Sequence, residues 1–553
     1  MFSVSSGPEV LAADDLVINQ CGIPSIVLME KAADAVVFAM RDFFPDFSKS
    51  KFAIICGNGN NGADGVAIAR NLLCRFAQVD VFLVARENGF MFKSEEGKSN
   101  LRILLDDSFM KGLRVIEWNP ETPSPNLGIY DGVVDALFGA GFNSSKPIDI
   151  FYKFVISEMN LGKFIVSVDV PSGQCPTTGQ GAGALNSSIT VTFGMIKSGL
   201  VTYPGKSHCG KIYYSPISYP REILASSSSK LIVPASLPPR DPEGYKCTFG
   251  RGLFVSGCRS YFGAPFLSSA SFMRCGGGYA KLFSLDQEKV YPVVASHMPE
   301  IVFLQEDFGR IGENDVVVIG PGLGQSNPAG ELVRLVITTI ANESETNSSS
   351  LSGVVIDGDG LNLLVSALGD SGKIVNMFAS IMKLGIPIVL TPHLGELKRL
   401  FWPSDNRAPS FPHSVVLPDK PHFFDYVTST KLVCEQLCEL PNLIVVVKGS
   451  TTCVVNRKDA MRINVTGNSG MGTAGTGDVL CGVIANMLIR KIDVIDSVAT
   501  AVWIHGRAGD LAKETIGENG MVASDLLDHL PHAVREVSET ETYRWKKYYP
   551  KMI

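Results

Sequence analysis

The stretch Gly472–Gly482 combines residue types that suit phosphoryl chemistry. It reads GTAGTGDVLCG, and an apolar segment typical of a helix follows through Leu488. Glycines let successive backbone N–H groups point the same way, and the N-terminus of the following helix adds partial positive charge. Such a turn favours binding of a phosphoryl group. A carboxylate beside it suits a base better than a phosphate ligand, so we interpret Asp478 as the acceptor of a proton from an attacking hydroxyl. The structural alternative is a glycine turn in which Asp478 caps the helix.

A second glycine-rich stretch, Gly57–Gly65 (GNGNNGADG), follows a predicted buried strand, Lys51–Cys56. A helix predicted over Val66–Phe76 and a strand over Val79–Val84 complete a βαβ unit of a doubly wound sheet. The glycine spacing matches the dinucleotide fingerprint weakly, because no acidic residue is convincingly placed at the end of the second strand. The polar residues of the stretch could instead present oxygens to a cation or a hydroxylated ligand, or form a plain loop.

Two further predicted strands end in carboxylates, Asp135 in GVVDALFGAGF and Asp169 in FIVSVDVPSG. The carboxyl ends of strands line the ligand crevice of an open α/β sheet, so we expect these aspartates to converge there with Asn61 and Ser172. Oxygens of Asn, Asp and Ser suit a hard cation, and a desolvated carboxylate suits proton transfer. A helix cap at each aspartate would explain one of these residues but not the set.

The second half of the chain repeats this pattern. Its predicted strands run into small and polar residues, in the segments GPGLG at 320–324, DGDGLN at 357–362, TPHLGE at 391–396 and KGST at 448–451. An α/β sheet places such loops on one edge, here together with the loop 472–478. The serine-rich stretch Ala225–Lys230 is typical of a linker. The sequence therefore predicts domains at 1–224 and 231–553, joined by a linker at 225–230.

Composition limits the classes of partner. The 553 residues exceed one core, and 45% hydrophobic with 19% charged residues is typical of globular domains. A formal charge of −6 argues against nucleic acid as a partner, and the lack of a long apolar run argues against a membrane span. Residues 1–15 show no apolar targeting core, and the 12 cysteines form no CxxC pair. We therefore expect a cytoplasmic protein in a reducing compartment.

The motifs of the first half resemble the NAD(P)H-hydrate epimerase (YjeF N-terminal) family. GNGNNGADG, VDALFGAGF and SVDVPSG occur in the family's order within roughly residues 9–220, and MEKA at 29–32 and KSGL at 197–200 also fit. The resemblance implies a potassium ion held by Asn61, Asp135 and Ser172, and a catalytic Asp169 at the reacting ring of a hydrated dinucleotide. Ala63 stands where the family usually has glycine. The further implied substrate-binding residues are Asn60, Asn61, Gly62, Ala63, Asp64, Gly139, Ala140, Gly141, Phe142, Asn143, Ser144 and Ser145.

The second half, roughly 231–540, resembles the ADP/ATP-dependent NAD(P)H-hydrate dehydratases, a branch of the ribokinase-like superfamily. The matching segments are GPGLG, TPHLGE, KGSTT and GNSGMGTAGTGD. That family phosphorylates the hydroxyl of the hydrated ring and expels phosphate, which implies Asp478 as the base. Magnesium is expected to come with the nucleotide phosphates. The resemblance places Ala264, Gly322, His393 and Asp478 at the hydrate, and Lys448, Gly449, Ser450, Thr451, Thr452, Ala474, Gly475, Thr476 and Gly477 at the adenine nucleotide.

The sequence as a whole predicts two three-layer αβα domains, one Rossmann-like and one ribokinase-like. The two resemblances imply a bifunctional enzyme that interconverts the R and S hydrates of NADH and NADPH and dehydrates the S form with ADP or ATP, using K⁺ and Mg²⁺. We also expect a homo-oligomer, because exposed sheet edges in such folds are often buried by self-association. One alternative is a ribokinase-type small-molecule kinase with a nucleotide-binding N-terminal module. Another is a first half that senses nucleotides without catalysis.

Overall fold

The structure, a computed structural model, describes residues 2–87, 89–106, 108, 111–142, 146–181, 183–343, 351–369, 371–401, 440, 442–538 and 549–553. The chain divides into two compact units, and the change between them falls at Ser229 and Lys230, inside the serine-rich stretch. Each unit contains a sheet of mainly parallel strands with helices packed on it. The predicted α/β fold class is therefore confirmed.

The first unit is a Rossmann-like α/β unit. Its strands up to the boundary are β1 (Ser3–Ser5), β2 (Lys51–Cys56), β3 (Gln78–Val84), β4 (Leu113–Trp118), β5 (Gly132–Ala136), β6 (Ile165–Val168), β7 (Ile189–Phe193), β8 (Ile196–Lys197) and β9 (Lys211–Ser215). Its helices are α1 (Gly7–Asp15), α2 (Ser25–Met40), α3 (Asn60–Leu73), α4 (Glu95–Leu104), α5 (Ile150–Met159), α6 (Ser198–Val201) and α7 (Arg221–Ala225).

The main sheet of this unit has the strand order β9-β7-β6-β5-β2-β3-β4, and its neighbouring strands are parallel. The order reverses between β5 and β2, which is the position where open α/β sheets form their ligand crevice. Alternate residues of β2 face opposite sides of the sheet. Phe52 and Ile54 pack in one core with α2 and α3, whereas Ala53 and Ile55 pack in a second core with α5.

Helix α3 begins earlier than the sequence predicts. The expected start is Val66, but the helix begins at Asn60, so the second half of the glycine stretch forms its first turn. Tertiary packing outweighs the low helix propensity of glycine here. A methyl group at Gly62 would lie 1.8 Å from the carbonyl oxygen of Gly57, so this turn approaches the end of β2 more closely than any side chain permits.

The second unit is also an α/β unit with a mainly parallel sheet. Its strands are β10 (Ser229–Leu231) at the boundary, then β11 (Arg251–Val255), β12 (Tyr279–Phe283), β13 (Val302–Phe303), β14 (Val316–Ile319), β15 (Gly353–Ile356), β16 (Ile388–Leu390), β17 (Leu443–Val447), β18 (Cys453–Val455) and β19 (Met461–Ile463). Its described helices are α8 (Gly263–Arg274), α9 (Gln287–His297), α10 (Asn327–Glu343), α11 (Asp359–Leu368), α12 (Ser371–Met382), α13 (Leu394–Phe401), α14 (Thr476–Leu488), α15 (Val494–Ile516) and α16 (Ala523–Ser538).

Its sheet has the order β13-β12-β11-β14-β15-β16-β17-β18-β19, parallel from β13 to β17 and antiparallel at β18 and β19. The loops after β11, β14, β15, β16 and β17 therefore leave the same edge. Helix α14 packs closely on α8, since a methyl group at Gly482 would lie 2.0 Å from the carbonyl oxygen of Ser268. Residues Val479–Leu488 of α14 are all buried.

The last residues of the chain return to the first unit. Strand β20 (Lys551–Met552) pairs in parallel with β9, and the amide of Ile553 donates to the carbonyl oxygen of Tyr214 at 2.9 Å. The predicted second domain runs to residue 553, whereas the structure assigns this strand to the first unit. A two-residue strand shows no periodicity, so no local pattern marks it. Among the described helices, none is long and apolar enough to cross a bilayer.

Candidate active sites

A cavity of about 500 Å³ opens in the first unit, beside the ends of β2, β5 and β6. Most of the described residues predicted to bind substrate line it, together with Asp169: Asn60, Asn61, Asp64, Gly139, Ala140, Gly141 and Phe142. Gly62 and Ala63 are buried and are not part of its lining. The predicted residues Asn143, Ser144 and Ser145 lie outside the described residues.

Asp169 lies directly after β6 in a left-handed backbone conformation, with φ +69°. This conformation is uncommon for a residue other than glycine and is frequent at functional sites. The Oδ2 atom accepts a hydrogen bond from the amide of Ala140 at 2.9 Å, and Oδ1 forms an ion pair with the ammonium of Lys197. Lys197 is only 2% exposed. The motif KSGL contains Lys197, but the sequence alone predicts no role for this residue. Its ion pair with Asp169, 28 residues away in the chain, identifies it as part of the site.

Asp64 lies in the second turn of α3 and lines the same cavity. Burial raises the pKa of this carboxyl well above its usual range, and the neighbouring carboxylate of Asp169 raises it further. Because a desolvated carboxyl near another carboxylate resists ionisation, Asp64 is suited to remain protonated when Asp169 is charged.

Of the residues predicted to hold potassium, Asn61 lines this cavity, whereas Asp135 and Ser172 are fully buried and are not part of its lining. The Asp135 carboxylate is fully buried and accepts hydrogen bonds from the hydroxyl and amide of Ser172, at 2.5 and 2.9 Å. Asn61 packs over Gly139, and its side-chain Nδ2 is buried with no hydrogen-bond partner among the described residues. The three side chains contain carboxylate, hydroxyl and amide oxygens, which hard cations prefer, so their chemistry is compatible with a cation.

In the second unit, residues 474–477, the predicted anion cradle, lead into α14. Gly475 has φ +93° and precedes the first residue of the helix, so the amides of the first turn lack intrahelical partners. The ring Nε2 of His505 on α15 lies 2.9 Å from the carbonyl oxygen of Thr476. Desolvation lowers the pKa of His505 to about 4, so the neutral ring donates this bond and holds the turn.

Asp478 lies in the first turn of α14, beside that cradle. A methyl group at Gly475 would be 4.0 Å from its Oδ2. Burial raises the pKa of Asp478 to about 7, and the carboxylate of Asp357 adds to this effect. A carboxylate with such a pKa is suited to accept a proton near neutral pH.

Lys448 and Asp357 form an ion pair at 2.6 Å, and Asp357 is 4% exposed as a side chain. Although burial opposes its ionisation, the ammonium of Lys448 holds the pKa of Asp357 below its usual value. In return, despite the opposing effect of burial, Asp357 raises the pKa of Lys448. The thiol of Cys481 on α14 also donates to Asp357, at 3.1 Å. Asp357 directly follows β15, just as Asp169 directly follows β6. Asp357 is not among the site residues predicted from the sequence.

The two loops predicted to bind nucleotide meet at this pair. A methyl group at Gly477 would lie 3.1 Å from the Nζ of Lys448, so the start of α14 faces the end of β17. Residues Gly449, Ser450, Thr451 and Thr452 continue from Lys448 into β18, and Ala474 lies at the exposed side of the turn. Lys448, paired with Asp357, thus lies beside the first turn of α14.

Of the other residues predicted to contact the hydrate, Gly322 and His393 lie on loops, and Ala264 lies in the first turn of α8. Gly322 has φ +62° and lies close to Ala264. A methyl group added at Gly322 would be only 2.8 Å from the Cβ of Ala264. The backbone of His393 pairs with that of Lys448 in an isolated parallel β-bridge. Its Nδ1 accepts hydrogen bonds from the amides of Gly395 and Glu396, so the ring caps α13 as a neutral group. Burial and then the nearby Lys448 lower the pKa of His393 further.

The two units match two different protein-family models. A family model described as YjeF-related protein N-terminus matches residues 25–199, and a model described as NAD(P)H-hydrate dehydratase matches residues 253–532. A solved structure of the ADP/ATP-dependent NAD(P)H-hydrate dehydratase from Bacillus subtilis, co-crystallized with ATP and Mg²⁺, covers 55% of this chain and 95% of its own, at 25% identity and a TM-score of 0.42.

Full-length relatives extend across both units. A protein of Thermofilum pendens named bifunctional NAD(P)H-hydrate repair enzyme Nnr is 34% identical, over 97% of this chain and 97% of that protein. A protein of Moorella thermoacetica with the same name is 31% identical, over 98% of each chain. This chain therefore belongs to the family of bifunctional NAD(P)H-hydrate repair enzymes.

Proposed function

We propose that the first unit interconverts the R and S hydrates of NADH and NADPH and that the second unit dehydrates the S form. The buried Asp169–Lys197 pair in the first cavity supports a proton-transfer site. Asn60, Asn61 and the segment 139–142 bind the hydrated dinucleotide there. Coupling the two reactions on one chain is useful because the second step accepts only one epimer.

The dehydratase role depends most on one observation, the half-buried carboxylate of Asp478 in the first turn of α14, close to the Gly475 turn. In this role Asp478 removes the proton of the ring hydroxyl while that oxygen attacks the terminal phosphoryl group of ADP or ATP. Loss of phosphate from the phosphorylated ring then restores NAD(P)H. A positioned base of this kind contributes about 10²–10⁴ in rate.

The cradle of residues 474–477 neutralises the phosphoryl group during transfer, because amides at a helix N-terminus are fixed before the reaction begins. One such donor is worth about 2.7–4 kcal/mol of transition-state stabilisation. Lys448 adds a positive charge on the same side, and residues 449–452 complete the nucleotide site. Mg²⁺ bound to the nucleotide phosphates would supply further charge neutralisation.

In the first unit Asn61, Asp135 and Ser172 would hold potassium. The ion would supply fixed positive charge near the hydrate, and no proton transfer requires it. Ala264, Gly322 and His393 form the side of the second site that faces the ring. The expected cytoplasmic location and self-association remain predictions.

A phosphate-release assay on racemic NADPH hydrate, with ADP and ATP compared, tests the function. We expect stoichiometric phosphate release together with recovery of reduced-nicotinamide absorbance, and complete consumption of both epimers. A lasting phosphoester without recovered absorbance would instead indicate a small-molecule kinase. Consumption of only the S form would remove the epimerase assignment and leave the dehydratase assignment intact.

A further inference from the structure

A second pair of titratable side chains lines the cavity of the first unit. Asp14 from α1 and Tyr219, which follows β9, border the same space as Asp169 and Lys197. The hydroxyl of Tyr219 donates a hydrogen bond to Oδ1 of Asp14. Both residues lie outside the range 25–199 matched by the family model, and the roles proposed above do not use them.

The backbone that presents Tyr219 is strained. Ile217 and Ser218 have φ angles of +38° and +69°, in the left-handed region that residues other than glycine rarely adopt. Asp169, also on the cavity, has φ +69°. Three of the five described non-glycine residues with positive φ thus lie on this cavity or next to its lining. Strain of this kind concentrates at functional sites, where the surrounding structure holds it in place.

The Tyr219 ring occupies a closely fitted position. A methyl group at Gly194, which has φ +63°, would lie 2.7 Å from the Cζ of this ring and 3.0 Å from its hydroxyl oxygen. Only glycine at position 194 therefore lets the hydroxyl reach Asp14. Burial raises the pKa of Asp14, and the hydrogen bond from Tyr219 only partly offsets this. Asp14 is thus more easily protonated than an exposed aspartate.

Epimerisation of the hydrate by ring opening requires a base that accepts the hydroxyl proton and an acid that protonates the ring nitrogen. The reacting carbon of the hydrate bears both the hydroxyl and the ring nitrogen, so the ring opens when the hydroxyl proton passes to a base. A carbonyl bond then forms, the carbon–nitrogen bond breaks, and the nitrogen takes a proton from an acid. Closure on the other face of the carbonyl reverses both transfers, and no oxidant or reductant is consumed.

We propose that Asp14, held by the hydroxyl of Tyr219, is the second proton-transfer group of the epimerase site. Asp169, fixed by Lys197 and by the amide of Ala140, is the first. Tyr219 acts as a positioning residue that orients the carboxyl group of Asp14. This inference rests on the epimerase function proposed for the first unit.

The test uses the full chain and purified R-hydrate of NADPH without nucleotide, and R-to-S conversion is followed by chromatography. We expect Asp14→Asn to lower kcat at least about 10²-fold with KM unchanged, since a positioned acid or base contributes about 10²–10⁴. Tyr219→Phe lowers kcat less, and the double variant is no worse than Asp14→Asn, because the two residues act as a unit. Dehydration of S-hydrate by the same preparations serves as the internal control.

Tyr213→Phe is the matched structural control. Tyr213 is fully buried in the same unit and donates to Asp42 at 2.6 Å, but it does not line the cavity. We expect its epimerase kcat to equal that of the wild type. The proposal is overturned if Asp14→Asn keeps the wild-type kcat, if only KM changes, or if Tyr213→Phe loses as much activity. A wild-type chain that does not accelerate the conversion overturns the epimerase function itself, and the role of Asp14 with it.

Discussion

Asp478 shows how position in a helix sets the chemistry of a residue. The first turn of α14 places its carboxylate beside a backbone turn that attracts anions, and burial raises its pKa to about 7. The helix dipole alone would favour the ionised form, so desolvation and the neighbouring Asp357 outweigh it. We therefore expect Asp478 to gain and lose its proton near neutral pH, as the proposed base must.

Asp478→Asn tests this role. We expect kcat for dehydration of S-hydrate to fall about 10²–10⁴-fold, because the proton acceptor is removed while the shape is kept. In the wild type, the ionised base is lost as pH falls through about 7, so kcat should decline below that value in single-turnover experiments. Asp528→Asn, at an exposed carboxylate of the same unit, should change neither property. A wild-type profile flat from pH 5 to 8 would contradict the assignment.

The raised pKa of Asp478 also makes the stability of the protein depend on pH. The folded state binds the Asp478 proton more tightly than the unfolded chain does, so ionisation lowers the free energy of unfolding as pH rises from about 4 to about 7. We expect Asp478→Asn to be more stable than the wild type above pH 7. Chemical unfolding of both proteins at high and low pH measures this difference, and equal stability at all pH values would show that Asp478 is not desolvated.

Lys448 and Asp357 illustrate a buried pair in which each group depends on the other. Lys448→Met leaves the Asp357 carboxylate without its counter-charge, and we expect a loss of about 3–5 kcal/mol in the free energy of unfolding. The double variant Lys448→Met/Asp357→Asn should lose less, because no unpaired charge remains.

Arg274→Met provides the control for this cycle. Arg274 pairs with Asp528 at 3.1 Å, but both side chains are well exposed, at 48% and 72%. An exposed pair contributes only about 0–1 kcal/mol. If Lys448→Met costs no more than Arg274→Met in denaturant unfolding of the full chain, the buried pair does not have the proposed energetic role.

At the scale of elements, glycine contacts decide how closely the site-bearing helices approach their neighbours. Gly482 of α14 touches the backbone of α8, and Gly62 of α3 touches the end of β2. Each contact fixes the direction of a helix whose first turns include site residues. These glycines therefore affect the position of predicted site residues that lie several residues away.

Gly482→Ala tests the α8–α14 contact. The added methyl would lie 2.0 Å from Ser268 O and 2.1 Å from Ser271 Oγ, so the helices must separate. We expect a loss of about 1–3 kcal/mol in stability. Dehydratase kcat should also fall, because Asp478 moves with α14. Urea unfolding and S-hydrate turnover measure the two effects.

Gly330→Ala is the matched control, since Gly330 lies inside α10 and a methyl there would meet nothing closer than 3.6 Å. In a helix this change should be neutral or stabilise by up to about 1 kcal/mol. Equal stability of the two variants would mean that α14 has room to accommodate the methyl group.

At the scale of the whole molecule, the residues proposed for each reaction belong to a different unit of the chain. We expect Asp169→Asn to abolish R-to-S conversion while S-hydrate is still dehydrated, and Asp478→Asn to do the reverse. A mixture of the two variants should then consume racemic hydrate completely, because each supplies the activity that the other lacks. Failure of the mixture, with each remaining activity intact, would show that a single chain must perform both steps.

The sequence alone predicted most of the fold and much of the candidate sites. The strand Lys51–Cys56 was predicted with the bounds that the structure gives, and the strand predicted over Val79–Val84 begins only one residue earlier, at Gln78. Buried apolar runs of this kind are local signals. The ordered motifs also indicated the family. The helix start at Asn60 was missed, since the propensity of glycine argues against a helix that tertiary packing requires.

Only the tertiary structure revealed which charged groups meet. Lys448 and Asp357 are 91 residues apart, Lys197 and Asp169 are 28 apart, and Tyr219 is 205 from Asp14. No local pattern encodes such pairs, because each partner is placed by a different strand or helix. Strand-end residue types determined what chemistry was available, whereas the folding of distant segments onto one sheet edge decided which carboxylates are desolvated, paired and suited to accept a proton.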